Sequence, residues 1–394
     1  MAVENQDTSV FNHFHSSDNL KWKRRKNKIL MVISYPDTRL KKELESFKKN
    51  GYDVSLIIWE RSWPFPLDSD IEVKSLKLNV PVGHIKTLFY FPVWWCFLLF
   101  WLLKMRWDVI HSVNFDTFLF SMFIAKIKGN PIVYDIFDSY GDMMGRILRP
   151  IISNMDKFIM KFADAIIIAD DTRTLQIAKN LKNNIVTINN TPEGSLFPEK
   201  DDINNHDDEF KIFLGGKIIE ERGTCKIISA IKGMEDVKLI IKGFCSEENY
   251  KNKLFAMVNG MENVDMDLNG VPYEEIVQNM LEADLTIALY DPSIPNNKYA
   301  SPNKLFESMA SGIPIIVNGN NPMENIVRNE DCGLVIPFDN DKALRDAIFR
   351  VKNDPMLQKR LGNNGRKAYL NKYNWNIMEQ RLIAIYDEFQ ELKA

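Results

Sequence analysis

Short apolar runs alternate with amphipathic stretches from residue 28 onward. KILMVIS (28–34) is followed by an amphipathic stretch that Gly51 closes, and then by VSLIIW (54–59). A strand–helix–strand unit of this length implies two parallel strands joined by a helix. The alternation continues through DVIHSV (108–113), PIVYDIF (131–137), AIIIAD (165–170) and NIVTIN (184–189). This pattern predicts an α/β domain with a parallel sheet over residues 28–193.

The alternation stops at residues 194–209 and then starts again. GSLFPEKDDINNHDDE (194–209) is polar and acidic and has no apolar period, which predicts a linker. Further apolar runs begin with FKIFLGG (210–216) and end with LVIPF (334–338). We therefore expect a second domain over residues 210–374, so that two Rossmann-like, doubly wound domains face a cleft. Ligands of such sheets bind at the carboxyl ends of the strands, which makes the cleft the expected site.

One segment is more apolar than the rest of the chain. TLFYFPVWWCFLLFWLL (87–103) has no charged residue, and its length lies at the lower limit for crossing a bilayer. A crossing would separate strands of one sheet, since strands are predicted on both sides of it. Two interpretations stay open: a helix buried in the first domain, or a helix in the membrane interface, spanning about 87–104. We favour the second, because the basic cluster KWKRRKNK (21–28) would add attraction to anionic lipid.

Composition narrows the classes of partner and compartment. The chain has 394 residues with a formal net charge of -3, so no general attraction to nucleic acid is implied. Four scattered cysteines suggest neither a zinc site nor a disulfide framework, which favours a reducing compartment. Residues 1–27 are polar and lack the apolar core of a signal peptide, so we expect a disordered basic tail and a cytoplasmic protein.

The stretch YASPNKLFESMASGIP (299–314) predicts an anion site at a helix start. Ser301 suits the N-cap, and Gly312 suits the helix end. The free backbone N–H groups at Ser301–Lys304 would bind a phosphate. Lys304 is unfavourable beside the positive end of a helix unless an anion binds there. Glu307, one turn further on, could accept hydrogen bonds from two vicinal hydroxyls such as those of a ribose.

A second loop offers two more cations. FLGGKIIEERG (213–223) ends a strand at Gly215–Gly216, where the backbone can approach a ligand closely. Lys217 and Arg222 flank the loop that follows, and they would stabilise a departing diphosphate. Each cation taken alone favours the simpler interpretation of a solvated surface residue.

An ordered set of motifs resembles the GT-B glycosyltransferases of family 4, the glycosyl transferases group 1. It consists of DVIHSVNFDT, VYDIFDSY, GGKIIEERG, LNGVPYEEI, ASPNKLFESMASGIPII and YNW, in that order over residues 28–385. The resemblance implies a retaining transfer from a nucleotide sugar, most simply a UDP- or GDP-sugar, without a metal or other cofactor. It implies that the helix at 375–394 crosses back to the first domain.

The resemblance also implies roles for individual residues. Lys217 and Arg222 hold the diphosphate, Glu307 holds the ribose, and Asn269–Gly270 lie near the base. The full donor set is Gly216, Asn269, Gly270, Ser301, Asn303, Lys304, Leu305 and Glu307. The sequence departs from the family where Tyr299 replaces a glutamate, and where Phe137 and Val113 replace histidines.

The acceptor side is expected at strand ends of the first domain. Asp135 or Asp138 would contact the acceptor, although a buried structural role is an equal alternative. His111, Asn114, Asp37 and Arg39 are further candidates for this side, and Asp37 could instead cap the helix that starts near Leu40. The resemblance, together with the apolar run, implies transfer onto a lipid-linked or polysaccharide acceptor at the cytoplasmic membrane face.

Two alternative functions stay open. A nucleotide-sugar 2-epimerase shares the two-domain architecture, and a catalytically silent relative could serve as a partner in glycan assembly. Other classes are disfavoured, because the chain has neither the Gly-x-Gly-x-x-Gly motif after its first strand nor a P-loop motif. Asp-x-Asp occurs three times without further ligands, so no metal site is predicted.

Overall fold

Two parallel sheets with helices packed on them form the described part of the chain. The computed structural model describes residues 26–61, 70–80, 89–143, 147–177, 181, 184–198, 209–299 and 303–392. The tail at 1–25, most of the basic cluster at 21–28, linker residues 199–208, and Ser301 lie outside these residues.

The first sheet has seven strands in the order β3-β2-β1-β4-β5-β6-β7, and all its strand pairs are parallel. Its strands are β1 (Lys28–Ile33), β2 (Asp53–Glu60), β3 (Glu72–Lys77), β4 (Val109–Val113), β5 (Ile132–Ile136), β6 (Ala165–Ile168) and β7 (Asn184–Thr187). Its helices are α1 (Thr38–Lys49), α2 (Phe91–Lys104), α3 (Phe115–Lys128), α4 (Tyr140–Met143) and α5 (Leu148–Ile159).

The second sheet has six strands in the order β10-β9-β8-β11-β12-β13, again all parallel. Its strands are β8 (Phe210–Lys217), β9 (Val237–Phe244), β10 (Val264–Asp267), β11 (Leu285–Ala288), β12 (Ile315–Asn318) and β13 (Gly333–Ile336). The helices that follow are α6 (Thr224–Ile231), α7 (Glu248–Val258), α8 (Tyr273–Glu282), α9 (Asn303–Ser311), α10 (Pro322–Glu330), α11 (Asp341–Asn353), α12 (Pro355–Ala368) and α13 (Trp375–Leu392). The predicted fold class, two doubly wound α/β domains, is confirmed.

Local chemistry accounts for several helix ends. The Asp37 carboxylate accepts hydrogen bonds from the backbone N–H groups of Arg39 and Leu40, which starts α1 as an N-cap. Gly129 and Gly312 follow α3 and α9 with φ of 68° and 69°, a left-handed conformation that glycine adopts without steric cost.

Strand β3 was not predicted from the sequence. It forms an edge of the first sheet, and its residues are half-buried or exposed rather than alternately buried. An edge strand with one neighbour needs little apolar surface, so EVKSLK gives no hydrophobic signal of the kind that marks the inner strands.

The apolar run forms α2, and only one of its faces is buried. Phe91, Trp94, Leu98 and Leu102 pack into the core of the first domain, whereas the opposite side of the helix is open to solvent. Among the described residues, none of the helices combines the length and the hydropathy that crossing a bilayer requires.

The helices divide the first domain into two layers. α2, α3 and α5 contribute buried or partly buried residues to the core on one face of the sheet. On the other face, α1 packs with α13, whose buried residues include Met378, Leu382 and Tyr386. The last helix therefore packs on the first domain.

The first residues of the predicted linker pack against the second domain, although the composition of the linker is polar. Phe197 is buried in the core of the second domain, and its carbonyl accepts a hydrogen bond from Arg366 Nη2 at 2.9 Å. A single apolar residue gives no periodic signal. The pattern of residues 194–209 therefore did not predict that Phe197 is buried.

Candidate functional site

Arg222 lies at the end of a short 3₁₀ turn that follows β8. Its guanidinium carbon is 3.4 Å from the centroid of the Tyr290 ring, a cation–π contact from the segment after β11. Burial lowers the pKa of Arg222 to about 10. Its Nη1 is buried without a hydrogen-bond partner in the described part of the chain. The side chain is thus held in place while part of its hydrogen-bonding capacity is unused.

Lys304 brings a second cation to the same place. It is the second residue of α9 and is half-buried. Burial, and then the charge of Arg222, lower the pKa of Lys304 to about 8, while Glu307 opposes the shift. Two cations and the N-terminal end of a helix therefore share one location, an arrangement that favours a bound anion.

Glu307 lies on the buried side of α9. Its Oε1 accepts a hydrogen bond of 2.8 Å from the Tyr273 hydroxyl at the start of α8. Burial raises the pKa of Glu307, against the opposing effects of Tyr273, Lys304 and Lys42. Leu305 is fully buried beside it in the core and fixes the first turn of α9. Among the described residues, only one carboxylate oxygen of Glu307 is hydrogen-bonded, which leaves the other for a ligand hydroxyl.

The end of β8 offers open backbone and an exposed cation. Gly216 has a φ of +90°, and a Cβ built on it would meet nothing within 4 Å. Lys217 ends the strand with an exposed side chain. A Cβ on Gly243 would come within 1.9 Å of the Gly216 carbonyl oxygen, so β9 needs glycine opposite this turn.

Asn269 and Gly270 form the turn after β10. The Gly270 N–H donates to the Gly243 carbonyl at 2.9 Å, and its φ is +94°. The Asn269 side-chain oxygen accepts a hydrogen bond from Lys251 Nζ at 2.8 Å. Both residues are exposed at the carboxyl end of the second sheet, as is Gly216. Asn303, the first residue of α9, is half-buried.

Asp138 lies where the two domains meet. Its Oδ1 accepts a hydrogen bond from Asn296 of the second domain at 3.2 Å, and Arg173 Nη2 is 3.6 Å from the same oxygen. The charge of Asp138 also opposes the fall in the pKa of Arg222. Asn114 supports this loop, because its side-chain oxygen accepts from the backbone N–H groups of Phe137 and Asp138.

Asp135, His111 and Arg39 are buried, which agrees with the structural alternative for Asp135 and not with the acceptor contact that was also predicted. Arg39 donates to Asp135 Oδ2 at 2.8 Å and to Glu43 Oε1 at 2.7 Å, and all of these side chains are buried. His111 Nε2 is 3.3 Å from Asp135 Oδ2, and His111 Nδ1 is 2.5 Å from the hydroxyl of Tyr386 in α13. The five residues form a buried polar cluster between α1, the sheet and α13.

The arrangement within this cluster follows from charge. Glu43, His111 and Asp135 have ligand atoms within 4.8 Å of one another, a donor set that could hold a metal ion. Arg39 already bonds both carboxylates and supplies the positive charge. Burial, and then the Asp135 charge, raise the pKa of Glu43 to about 7 against the effect of Arg39. The cluster is therefore best described as a buried ion network.

Several residues of the site were missed from the sequence. Tyr273, Tyr290, Arg173 and Asn296 carry no motif, and only the fold brings them to Glu307, Arg222 and Asp138. Lys42 is a further case: its Nζ donates to Asn190 Oδ1 at 2.7 Å and lies 4.5 Å from the Trp375 ring centroid. Burial lowers the pKa of Lys42 to about 8. No motif surrounds these residues that would have identified them.

Short segments of the chain are similar to curated glycosyltransferases. The capsular polysaccharide biosynthesis glycosyltransferase CapM of Staphylococcus aureus is 27% identical over 95 residues, which are 24% of this chain and 25% of CapM. The phosphatidyl-myo-inositol mannosyltransferase of Mycobacterium leprae (strain TN) is 24% identical over 83 residues, 21% of this chain and 22% of that enzyme. The matches thus span about a quarter of the length of these relatives.

The whole described fold also matches solved structures. HepE of Anabaena, in its complex with UDP and glucose, aligns with a TM-score of 0.68 at 14% identity. The alignment covers 92% of this chain and 100% of HepE. Residues 197–368 match the family "Glycosyl transferases group 1". The chain thus has the GT-B fold, and residues 197–368 are similar to the glycosyl transferases group 1.

Proposed function

We propose that the chain is a retaining glycosyltransferase that moves a sugar from a nucleotide-sugar donor to a lipid-linked or polysaccharide acceptor. The observation that carries the proposal is the pairing of Arg222 and Lys304 at the start of α9, two half-buried cations of which the first lowers the pKa of the second. A diphosphate would add negative charge directly beside these two cations. HepE, whose fold is shared, binds UDP and glucose, and CapM acts in polysaccharide biosynthesis.

The proposed reaction depends on electrostatic stabilisation of the leaving group. As the bond between the anomeric carbon and the diphosphate breaks, negative charge grows on the phosphate oxygens, and Arg222, Lys304 and the N–H groups at the start of α9 would stabilise it. An acceptor hydroxyl attacks from the side of Asp138, and its proton passes to the departing diphosphate. The free oxygen of Glu307 binds a ribose hydroxyl. No step uses a metal ion.

The outward side of α2 supports a location at the cytoplasmic membrane face. Val93, Phe100 and Leu103 are 49%, 54% and 61% exposed, an unusual amount of apolar surface for one helix. Insertion of this side into the headgroup region, aided by the basic cluster at 21–28, would place the cleft close to a lipid-linked acceptor.

Binding of a nucleoside diphosphate tests the proposal directly. We expect UDP or GDP to raise the melting temperature of the chain. Glu307→Gln should weaken that nucleotide about tenfold, because a charged acceptor for the ribose becomes a neutral one. Tyr273→Phe, which keeps the Glu307 carboxylate, should weaken it less. Glu324→Gln on α10 is the matched control, since Glu324 interacts with Arg328 at the surface. Unchanged affinity in Glu307→Gln would remove the ribose role.

Product analysis separates transfer from the two other functions. Incubation of UDP-sugars without acceptor should leave the sugar unchanged or slowly hydrolysed, whereas a 2-epimer as the main product would establish an epimerase. Transfer to an added acceptor with the anomeric configuration of the donor is the expected result. Binding of nucleotide sugars without any turnover would indicate a silent relative.

Lys304 predicts a pH dependence of nucleotide binding. Its pKa is about 8 in the unliganded chain, and a bound diphosphate would raise it. Below about pH 8 the amine is already protonated, so affinity should be constant; above about pH 8 binding must take up a proton, and Kd should rise up to tenfold per pH unit. Phosphates are already ionised in this range. Titration of UDP against pH should show this slope in the wild type and a flatter profile in Lys304→Arg. Equal slopes would contradict the contact.

A further inference from the structure

Helix α5 carries a row of exposed apolar residues that the sequence did not single out. Ile147, Ile151 and Phe158 are 83%, 58% and 58% exposed, and Leu148, Met155 and Phe162 are also exposed. Their spacing places them along one side of the helix and its continuation. The buried side, with Asp156 and Ile159, packs on the first domain. The outward apolar side has no partner in the described part of the chain.

The exposed apolar residues belong to a whole layer of the first domain. α2, α3 and α5 cover the same face of the sheet, and α3 adds Phe123 and Ile127 to the outward residues of α2 and α5. The layer on the opposite face is made of α1 and α13. Within 38–49 and 375–391 it exposes no large apolar side chain. The two layers thus differ in the number of large apolar side chains that they expose. Scattered apolar residues on an ordinary protein surface do not explain this difference.

The charges of the same layer have one sign. Within 89–107, 115–130 and 147–162 the only acids are Asp116 and Asp156, and both are buried. The cations of these segments are all at least partly exposed: Lys104, Arg106, Lys126, Lys128, Arg149, Lys157 and Lys161. Two of them have acidic partners, Lys126 with Asp164 and Arg149 with Asp142. An apolar surface bordered by cations, in a chain of net charge -3, is complementary to anionic lipid.

We propose that α5, with the outward sides of α2 and α3, forms one surface that lies flat on an anionic phospholipid bilayer. This inference rests on the membrane location in the proposed function and extends it from one helix to the layer. Asp142 of α4 pairs with Arg149 of α5 and accepts a hydrogen bond from Gln176. Because α4 begins two residues after Asp138, docking of α5 would hold the cleft edge at the bilayer surface, where a lipid-linked acceptor is presented.

Cosedimentation of the full chain with vesicles tests the surface. Vesicles of equal parts phosphatidylcholine and phosphatidylglycerol should bind the chain, and pure phosphatidylcholine vesicles should bind it much less. Ile151→Glu with Phe158→Glu should reduce binding at least tenfold, because two apolar contacts are replaced by charges repelled by the lipid. Phe349→Glu with Leu370→Glu is the matched control, since these second-domain residues are 61% and 48% exposed.

Each outcome separates this inference from the proposed function. If Phe100→Glu with Leu103→Glu abolishes binding but the α5 variant binds as the wild type does, membrane contact stands and the role of α5 is wrong. If the wild type sediments with neither vesicle, the layer does not bind lipid and the inference is wrong. If the α5 variant converts a dimer to a monomer, the layer binds a second copy of the chain rather than lipid. The UDP-induced rise in melting temperature should persist in the α5 variant. If UDP does not raise the melting temperature of the wild type, the proposed donor site is contradicted instead.

Discussion

Arg222→Ala should lower kcat/KM for the nucleotide sugar about 100- to 1000-fold, the usual effect of removing one preorganised group from a developing anion. Arg222 is held by the Tyr290 ring at 3.4 Å, so it needs little reorganisation when charge grows on the diphosphate. Its buried Nη1, which has no hydrogen-bond partner in the described residues, is free to donate to a phosphate oxygen. The loss should fall mainly on kcat, because the additional negative charge on the diphosphate appears only as the bond to the sugar breaks.

The Arg222→Ala variant should lose activity but change little in stability. Arg222 is half-buried near Lys304, so its removal relieves repulsion of Lys304 and removes an unsatisfied donor, while the contact with Tyr290 is lost. We expect a melting temperature within about 2–4 °C of the wild type, which corresponds to roughly 1 kcal/mol. Steady-state kinetics and thermal unfolding of the same preparation measure both effects.

Two further variants show whether position or charge matters. Arg222→Lys keeps the charge but not the planar group, and it should recover only part of the activity. Arg328→Ala is the control, because Arg328 is a 60% exposed cation of the same domain. Activity near the wild-type level in Arg222→Ala would exclude Arg222 from the donor site, whereas equal losses in Arg328→Ala would show that the effect is nonspecific.

The predicted parts of the fold are those that bury a continuous apolar strand. β1, β4 and β8 are inner strands with buried runs, so periodicity located them within one or two residues. β3 escaped because its place at the sheet edge leaves its side chains half-exposed. The outward residues of α5 escaped for another reason: an amphipathic helix predicts which side is apolar, but it does not show that the apolar side faces solvent.

The site shows a similar division. Arg222 and Lys304 lie at ends of regular elements, where sequence reasoning places ligands. Asp135 and His111 lie inside β5 and β4, so they project toward a face of the sheet rather than from its end. Residue type and motif do not distinguish a position inside a strand from one just after it. The distinction depends on the residue at which the strand ends. Asp138, two residues past the end of β5, reaches the domain boundary.

Arg39→Met should destabilise the chain by about 3–5 kcal/mol, because it leaves two buried carboxylates without their cation. Arg39 bonds both Glu43 and Asp135, and all three side chains are at most 1% exposed. Tyr386 lies in the same cluster, so the loss should also loosen α13 from the first domain. Denaturant unfolding of the variant and the wild type gives the difference in free energy.

Lys41→Met is the matched control on the same helix. Lys41 pairs with Glu45 at the same i,i+4 spacing, but the side chains are 62% and 46% exposed, so the cost should stay below about 0.5 kcal/mol. The pH dependence identifies the cause. Arg39 opposes the raised pKa of Glu43, so without Arg39 burial raises that pKa further above its value in the unfolded chain. Folding then takes up a proton, and the deficit should be largest near about pH 8 and shrink toward about pH 5. A deficit that is constant with pH would instead indicate lost packing around the Arg39 side chain.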